Sequence, residues 1–346
     1  MEAKFILSKE KLKEQVKILE DLGLKISYSY KTNKEVGNVL QEITNVDFSI
    51  HAKEELDFIK DKLRIWFFVQ AESKEELKNI LDKGIINFVV DNKNDLRRLM
   101  EIVEEKKEKI NLSLRMKFQE HRVGSGKYFV YGMDSMKINE LIKEIKNNFC
   151  INKLGVHIHR KSQNTSEWEI EKELKDSFSG ESLERINFLN FGGGLPVRYK
   201  SYTSKVIPYI FEKLKNAKDF LKEYDIETYI EPGRFLAGPC IKLETEIIQI
   251  QEKNLILNTT IYNCALDTVF TGTKMIVEGE LEDEEEGENY LIKGNSPTRD
   301  DIFRYKVKLK SPKIGDQIVF LNAGAYNYTT DFFGYKKLET EIVESF

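Results

Sequence analysis

The sequence predicts an α/β protein: a TIM-like (β/α)8 barrel over residues 8–238, then an antiparallel β-domain over residues 239–346 that residues 1–7 join. Three observations predict it. Eight short β-branched or aromatic runs alternate with charged stretches carrying apolar residues at helical spacing, the pattern of parallel strands joined by crossover helices. After Pro232 the helical spacing gives way to short alternating runs separated by turn residues. The residues best suited to chemistry fall at the ends of the strand-like runs, the rim where such barrels place their sites.

The eight runs are, in order, Lys25–Lys31, Val46–Ile50, Arg64–Gln70, Ile86–Asp91, Ile110–Lys117, Lys153–His159, Ile186–Phe191 and Glu227–Glu231. Between them, Leu12, Val16, Leu19 and Leu22 mark one helix, and Leu77, Ile80 and Leu81 another. The β-domain is predicted from Ile241–Gln251, Leu255–Tyr262, Tyr290–Lys293, Tyr305–Leu309 and Gln317–Leu321, with Lys4–Leu7 as an added strand. The domain boundary is expected near 235–242. Glu278–Glu288 carries eight acidic residues and reads as a solvated hairpin tip or loop; it lacks the alternating oxygen ligands of a calcium loop.

Composition narrows the function. In 346 residues, 54 basic and 58 acidic side chains leave a net charge of −4, which excludes a dominantly basic nucleic-acid scaffold. A mean hydropathy of −0.46, with no long apolar run, predicts neither a membrane span nor a secretory leader, so a cytoplasmic location is expected. Cys150, Cys240 and Cys264 lie far apart, without the spacing of a metal site or a disulfide framework.

At the strand ends stand Lys31, His159 (two residues after His157, on the same face), Gly192, Gly193 and Gly194, and Glu231-Pro232-Gly233-Arg234. Separately each has a plain reading: a surface lysine, a core histidine, a turn. Together they describe an amine nucleophile, a ring-stacking imidazole, an anion nest with an arginine, and a carboxylate. Pyridoxal 5'-phosphate requires this set.

On these motifs the chain resembles the fold-type III pyridoxal-phosphate enzymes, the family of alanine racemase, ornithine decarboxylase and diaminopimelate decarboxylase, and is most similar to the decarboxylase branch. The resemblance implies a (β/α)8 barrel with a β-domain, a carboxy-lyase activity on an amino-acid-type substrate, and a homodimer with shared sites. Nucleic acid and membrane are not implied as partners. It implies that Lys31 forms the Schiff base, His159 stacks on the ring, and Ser162, Gly192–Gly194, Gly233, Arg234 and Tyr326 (in NAGAYNYT) hold the phosphate. Glu231 would face the pyridine nitrogen and keep it protonated, a strong electron sink for decarboxylation, where racemases of this fold place an arginine. Asp47 resembles an aspartate behind the lysine, and Arg122 with Lys127 a basic stretch at the rim.

The chain also departs from the family. Where decarboxylases place a cysteine supplied in trans, this sequence reads Gly294-Asn295-Ser296-Pro297-Thr298-Arg299-Asp300-Asp301. The thiol is missing, and Asp300, Asp301 and Cys264 are the candidate substitutes. Arg160 and Lys161 stand where relatives have small residues, as a solvated rim or as a binder of a second carboxylate or a phosphate on the substrate. Asp267 lies near where the resemblance to diamine-forming members implies an acid for a distal ammonium, and reads equally as an ordinary turn aspartate. Arg299, Asp300 and Asp301 complete the substrate candidates. The alternatives are an amino-acid racemase or epimerase, and a non-catalytic regulator that keeps the fold.

Overall fold

The computed structural model describes residues 1–118, 131–203, 205–327, 330–331 and 334–346. Sixteen strands are found among them: β1 (Lys4–Ser8), β2 (Lys25–Ser29), β3 (Asp47–Ile50), β4 (Ile65–Phe68), β5 (Asn87–Val90), β6 (Ile110–Arg115), β7 (Ile151–His157), β8 (Phe188–Asn190), β9 (Glu227–Ile230), β10 (Ile241–Gln251), β11 (Asn254–Leu257), β12 (Ile276–Val277), β13 (Glu288–Lys293), β14 (Ile302–Leu309), β15 (Gln317–Leu321) and β16 (Glu339–Val343). Strands β2 to β9 form a closed barrel in sequence order, and β9 returns to β2 with Lys25 opposite Tyr229.

All eight predicted barrel strands are present, each trimmed by one or two residues at one end or both, except that β7 also begins two residues earlier. The helices between them follow their apolar spacing. Leu12, Val16 and Leu19 bury one face of helix Lys9–Asp21, capped by Ser8. Leu77, Ile80 and Leu81 do the same for helix Lys74–Asp82, which opens on a Ser73/Glu76 capping box. Leu22 lies just past its helix, as the C-cap.

Because side chains alternate along a strand, inward positions stack in layers. Lys25, Asp47, Lys153 and Glu227 form the lowest layer, with Glu227 bridging both lysines at 3.0 and 3.4 Å. Above them Trp66, Phe188 and Tyr229 pack with ring centroids 5.0–5.9 Å apart. Gly155 leaves room there: a Cβ would lie 2.4 Å from the Phe188 ring. The top layer, at the C-terminal ends, contains Ser29, Phe68, Arg115, His157 and Glu231.

The β-domain is mostly antiparallel, in the order β12-β15-β10-β11-β13-β14. Strand β1 pairs antiparallel with β10 and parallel with β16. One detail differs from expectation. The Leu255–Tyr262 run stops at Leu257, because Thr260 and Asn263 form a capping box that starts a helical turn at Ile261. Of the two expected forms of the acidic run, hairpin tip or loop, it takes the loop, since β12 and β13 do not pair with each other. Its Glu280 turns inward to bind Arg304 at 2.9 Å. No helix among the described residues is long and apolar enough to cross a membrane.

Candidate active site

A cavity of about 300 Å³ opens at the C-terminal mouth of the barrel, a size within the range of small-molecule sites. It is lined by Lys31, His159, Ser162, Gly193, Gly194, Glu231, Gly233, Arg234 and Tyr326, together with His51, Phe68, Gln70, Arg115 and His157. Residues up to 295 positions apart therefore meet at one rim.

Lys31 sits in a 3-10 turn, Tyr30–Thr32, immediately after β2. Asn33 ends this turn by accepting the Glu35 and Val36 N–H groups, and its side-chain amide donates to the Gly324 carbonyl at 2.8 Å. Tyr326 N–H donates to Thr32 O at 3.0 Å. These bonds carry the β-domain segment 322–327 onto the lysine turn and bring Tyr326, held at φ +58°, to the cavity. Desolvation in the barrel mouth and the Arg115 guanidinium lower the Lys31 pKa, against the opposing pull of Glu231. A larger share of neutral, nucleophilic amine follows.

The three glycines are required by close approach. A Cβ on Gly192 would lie 2.0 Å from Ile158 O, and Gly192 and Gly194 hold φ of +67° and +116°. Gly193 N–H donates to His159 Nδ1 at 3.2 Å, which orients the ring and assigns its proton to Nε2. One face of His159 is open to the cavity. The surrounding protein and then Arg115 lower its pKa to about 3, a shift that water at the open face moderates, so the ring is neutral. Its plane lies within 9° of that of His157, with centroids 6.3 Å apart.

Glu231 is buried beside His157 Nε2 (2.6 Å) and Ser49 Oγ. Burial alone would raise its pKa; the His157 contact and the Ser49 hydrogen bond outweigh it and hold the carboxyl down at about 2. Arg234 spends its donors on protein groups: Ser162 Oγ at 3.3 Å, Tyr199 OH at 3.1 Å, and both oxygens of Asp267 at 2.6 and 2.9 Å. Its guanidinium lies 5.1 Å from the Tyr326 ring centroid.

Several sequence expectations are corrected. Gly192 does not line the cavity; its N–H goes to Asn190 Oδ1. Arg160 is neither rim nor substrate binder, being buried in an ion pair with Glu173 over the Phe118 ring. Lys161 turns to Glu167 at 3.4 Å. Asp267 neutralises Arg234 instead of facing a substrate ammonium. Asp301 is buried and accepts the Ile261 and Ser296 N–H groups, so it holds its own loop. Cys264 is buried away from the cavity, with burial raising its pKa. Arg299 and Asp300 are exposed and lie outside the cavity. Asp47 lies in the lowest barrel layer, bonded to Trp66 Nε1 at 3.2 Å, and Ser49 occupies the place against Glu231. Arg122 and Lys127 lie outside the described residues.

His51, Ser49, Arg115 and Gln70 were not singled out in the sequence. His51 follows β3, stacks on Phe68 (4.5 Å, 18°) and lines the cavity. Its signal was rarity: the chain has four histidines, and three line this cavity.

Pyridoxal phosphate fits these residues. A Cβ on Gly193 would lie 2.8 Å from Glu231 O and 3.3 Å from the His159 ring, and one on Gly233 2.2 Å from Thr32 Oγ1, so neither cavity-lining position takes a side chain without displacing its neighbours. Thr32 Oγ1 is a buried hydroxyl with no partner among the described residues. An amine, a flat imidazole face, a buried carboxylate, and a cluster of hydroxyl and N–H donors match the aldehyde, ring, ring nitrogen and phosphate respectively.

Residues 8–238 match the family described as pyridoxal-dependent decarboxylase, pyridoxal binding domain. Diaminopimelate decarboxylase of Methanothermobacter thermautotrophicus is 25% identical over 293 residues, covering 78% of this chain and 66% of that protein. A carboxynorspermidine/carboxyspermidine decarboxylase of Campylobacter jejuni is 25% identical over 184 residues, covering 49% of this chain and 46% of that protein. The matched part thus spans just under two thirds of the diaminopimelate decarboxylase. Among solved structures, Helicobacter pylori diaminopimelate decarboxylase complexed with L-lysine aligns with a TM-score of 0.84 at 19% identity, over 99% of this chain and 92% of that one. Selenomonas ruminantium lysine decarboxylase aligns with a TM-score of 0.81 at 19% identity, over 99% and 93%. These structures share its barrel and β-domain. Matched over two thirds of its length, the chain belongs to the pyridoxal-dependent decarboxylase family.

Proposed function

We propose that the chain is a pyridoxal-phosphate-dependent amino-acid decarboxylase, a carboxy-lyase, in which Lys31 holds the cofactor covalently. The observation that carries this reading is the convergence of Lys31, His159, Ser162, Gly193, Gly194, Glu231, Gly233, Arg234 and Tyr326 on one cavity. The bound cofactor supplies an electrophilic carbon for amines and an electron sink for the charge left by CO2 loss. The protein's part is positional. Lys31 offers an amine of lowered pKa, His159 a fixed neutral face, and Glu231 an ionised carboxylate able to keep a ring nitrogen protonated. That last feature favours decarboxylation over racemisation. Arg234, already paired with Asp267, acts by orienting Ser162 and backing Tyr326, which leaves hydroxyl and N–H donors to meet the phosphate.

The site is completed, in this reading, by a second copy of the chain: Arg299 and Asp300 stand exposed on the Gly294–Asp301 loop, free of this subunit's cavity. No cysteine among the described residues lines the cavity, so the α-carbon proton comes from another group. The test is a screen of amino acids for CO2 release by the cofactor-loaded protein, with the amine product identified by mass spectrometry. Racemisation without CO2 release, or tight cofactor binding without turnover of any candidate, contradicts the proposal.

A further inference from the structure

At the floor of the cavity His157 and Glu231 form a pair with side chains 1% and 5% exposed, Nε2 lying 2.6 Å from Oε2. The other Glu231 oxygen accepts from Ser49 Oγ, whose single proton is thereby used, so Ser27 Oγ, 2.7 Å away, donates to Ser49 in turn. The edge of Phe68 meets the His157 ring at 86° with centroids 5.2 Å apart, fixing its plane. His157 Nδ1 has no hydrogen-bond partner among the described residues. An ionised carboxylate only accepts, so the proton of a neutral His157 resides on Nε2. The charged and titratable groups facing the pair are Lys31 after β2, His51 after β3, Arg115 on β6 and His159 after β7.

We propose that His157 is a positioning residue for Glu231: its Nε2–H, together with the Ser49 hydroxyl, keeps the carboxylate ionised and aimed, so that a proton shared with the cofactor's ring nitrogen stays on the ring. The inference rests on the reading of Glu231 as the partner of that nitrogen. A carboxylate buried without donors becomes strongly basic, whereas two donors to its ionised form reduce its proton affinity. Without His157, the shared proton moves towards Glu231, the ring nitrogen loses its charge, and the electron sink weakens. The nearby cations do not replace this donor: Lys31 is committed to the cofactor in the same reading, and Arg115 stacks over the Tyr131 ring, 5.3 Å from its centroid.

The test is 15N NMR of protein loaded with ring-15N pyridoxal phosphate, for the wild type and for Glu231→Gln, His157→Phe and His157→Gln. The wild type is expected to show a protonated ring nitrogen and Glu231→Gln an unprotonated one. His157→Phe should move the resonance a large part of the way to the Glu231→Gln position, and His157→Gln, whose amide can still donate, should bring it back. A His157→Phe resonance coincident with wild type, while Glu231→Gln differs, overturns the role of His157 and leaves the ring-nitrogen reading intact. A Glu231→Gln resonance coincident with wild type overturns both. Should His157→Phe take up no cofactor, the imidazole 15N shifts of the cofactor-free wild type decide: an Nε2–H tautomer for His157 supports the proposal and an Nδ1–H tautomer overturns it.

Discussion

Arg234 and Asp267 meet in a buried, two-pronged ion pair, with 2.6 Å from Nη1 to Oδ2 and 2.9 Å from Nη2 to Oδ1. The pair joins the turn after β9 to the helical turn Leu266–Thr271 of the β-domain, so it locks one domain to the other beside the cavity. Removing one partner leaves the other charge buried and uncompensated. Asp267→Ala is therefore expected to lower unfolding stability by about 3–5 kcal/mol, while Asp267→Asn, which keeps one acceptor, costs less. Urea denaturation of the cofactor-free proteins measures both, and equal stability of Asp267→Ala and wild type would refute the lock.

Gly193 packs against both Glu231 and His159 at the cavity wall. Its φ is not in the left-handed region, so alanine is tolerated by the backbone, but the new Cβ would press on Glu231 O and His159. Gly193→Ala should weaken pyridoxal phosphate binding roughly tenfold or more, about 1.4 kcal/mol, and lower the melting temperature as well, because the backbone at Glu231 must shift to admit the Cβ. Equilibrium dialysis against the cofactor, alongside thermal melting, measures both, and wild-type affinity in Gly193→Ala would refute the close approach.

Acid should destabilise the protein through its buried imidazoles. Burial first, then Lys31, lowers the His51 pKa from 6.5 to about 3, and burial lowers that of His157. The unfolded chain binds these protons near pH 6.5 and the folded chain does not, so their contribution is complete above 6.5 and is lost as pH falls towards 3. Glu231, held at about 2 against an ordinary 4.5, adds a loss below pH 4.5. His51→Phe should lose about 1–2 kcal/mol less than wild type between pH 7 and pH 5, measured by urea unfolding at the two pH values.

The barrel was legible because each strand is a short apolar run; Lys31, His159 and Glu231 stood out only as a set at the run ends, since each alone has a plain reading. The misreadings share one physical origin: tertiary partners. Asp47 and Ser49 lie on the same inward face of β3, and only the layer tells them apart, Asp47 pairing with Trp66 below and Ser49 with Glu231 above. Arg160 follows the end of β7, where alternation no longer fixes direction, and it turns to Glu173. Asp267 lies 33 positions from Arg234, and nothing local announces the pairing. Leu257 ends its strand because of a Thr260 cap, a turn signal masked by the apolar run.

Reduction with borohydride of the protein loaded with pyridoxal phosphate, followed by peptide mass spectrometry, tests the covalent role of Lys31 most directly. A phosphopyridoxyl group is expected on Lys31, and Lys31→Ala should lose both the label and the cofactor's near-visible absorbance. Labelling of a different lysine, or unchanged absorbance in Lys31→Ala, would contradict it.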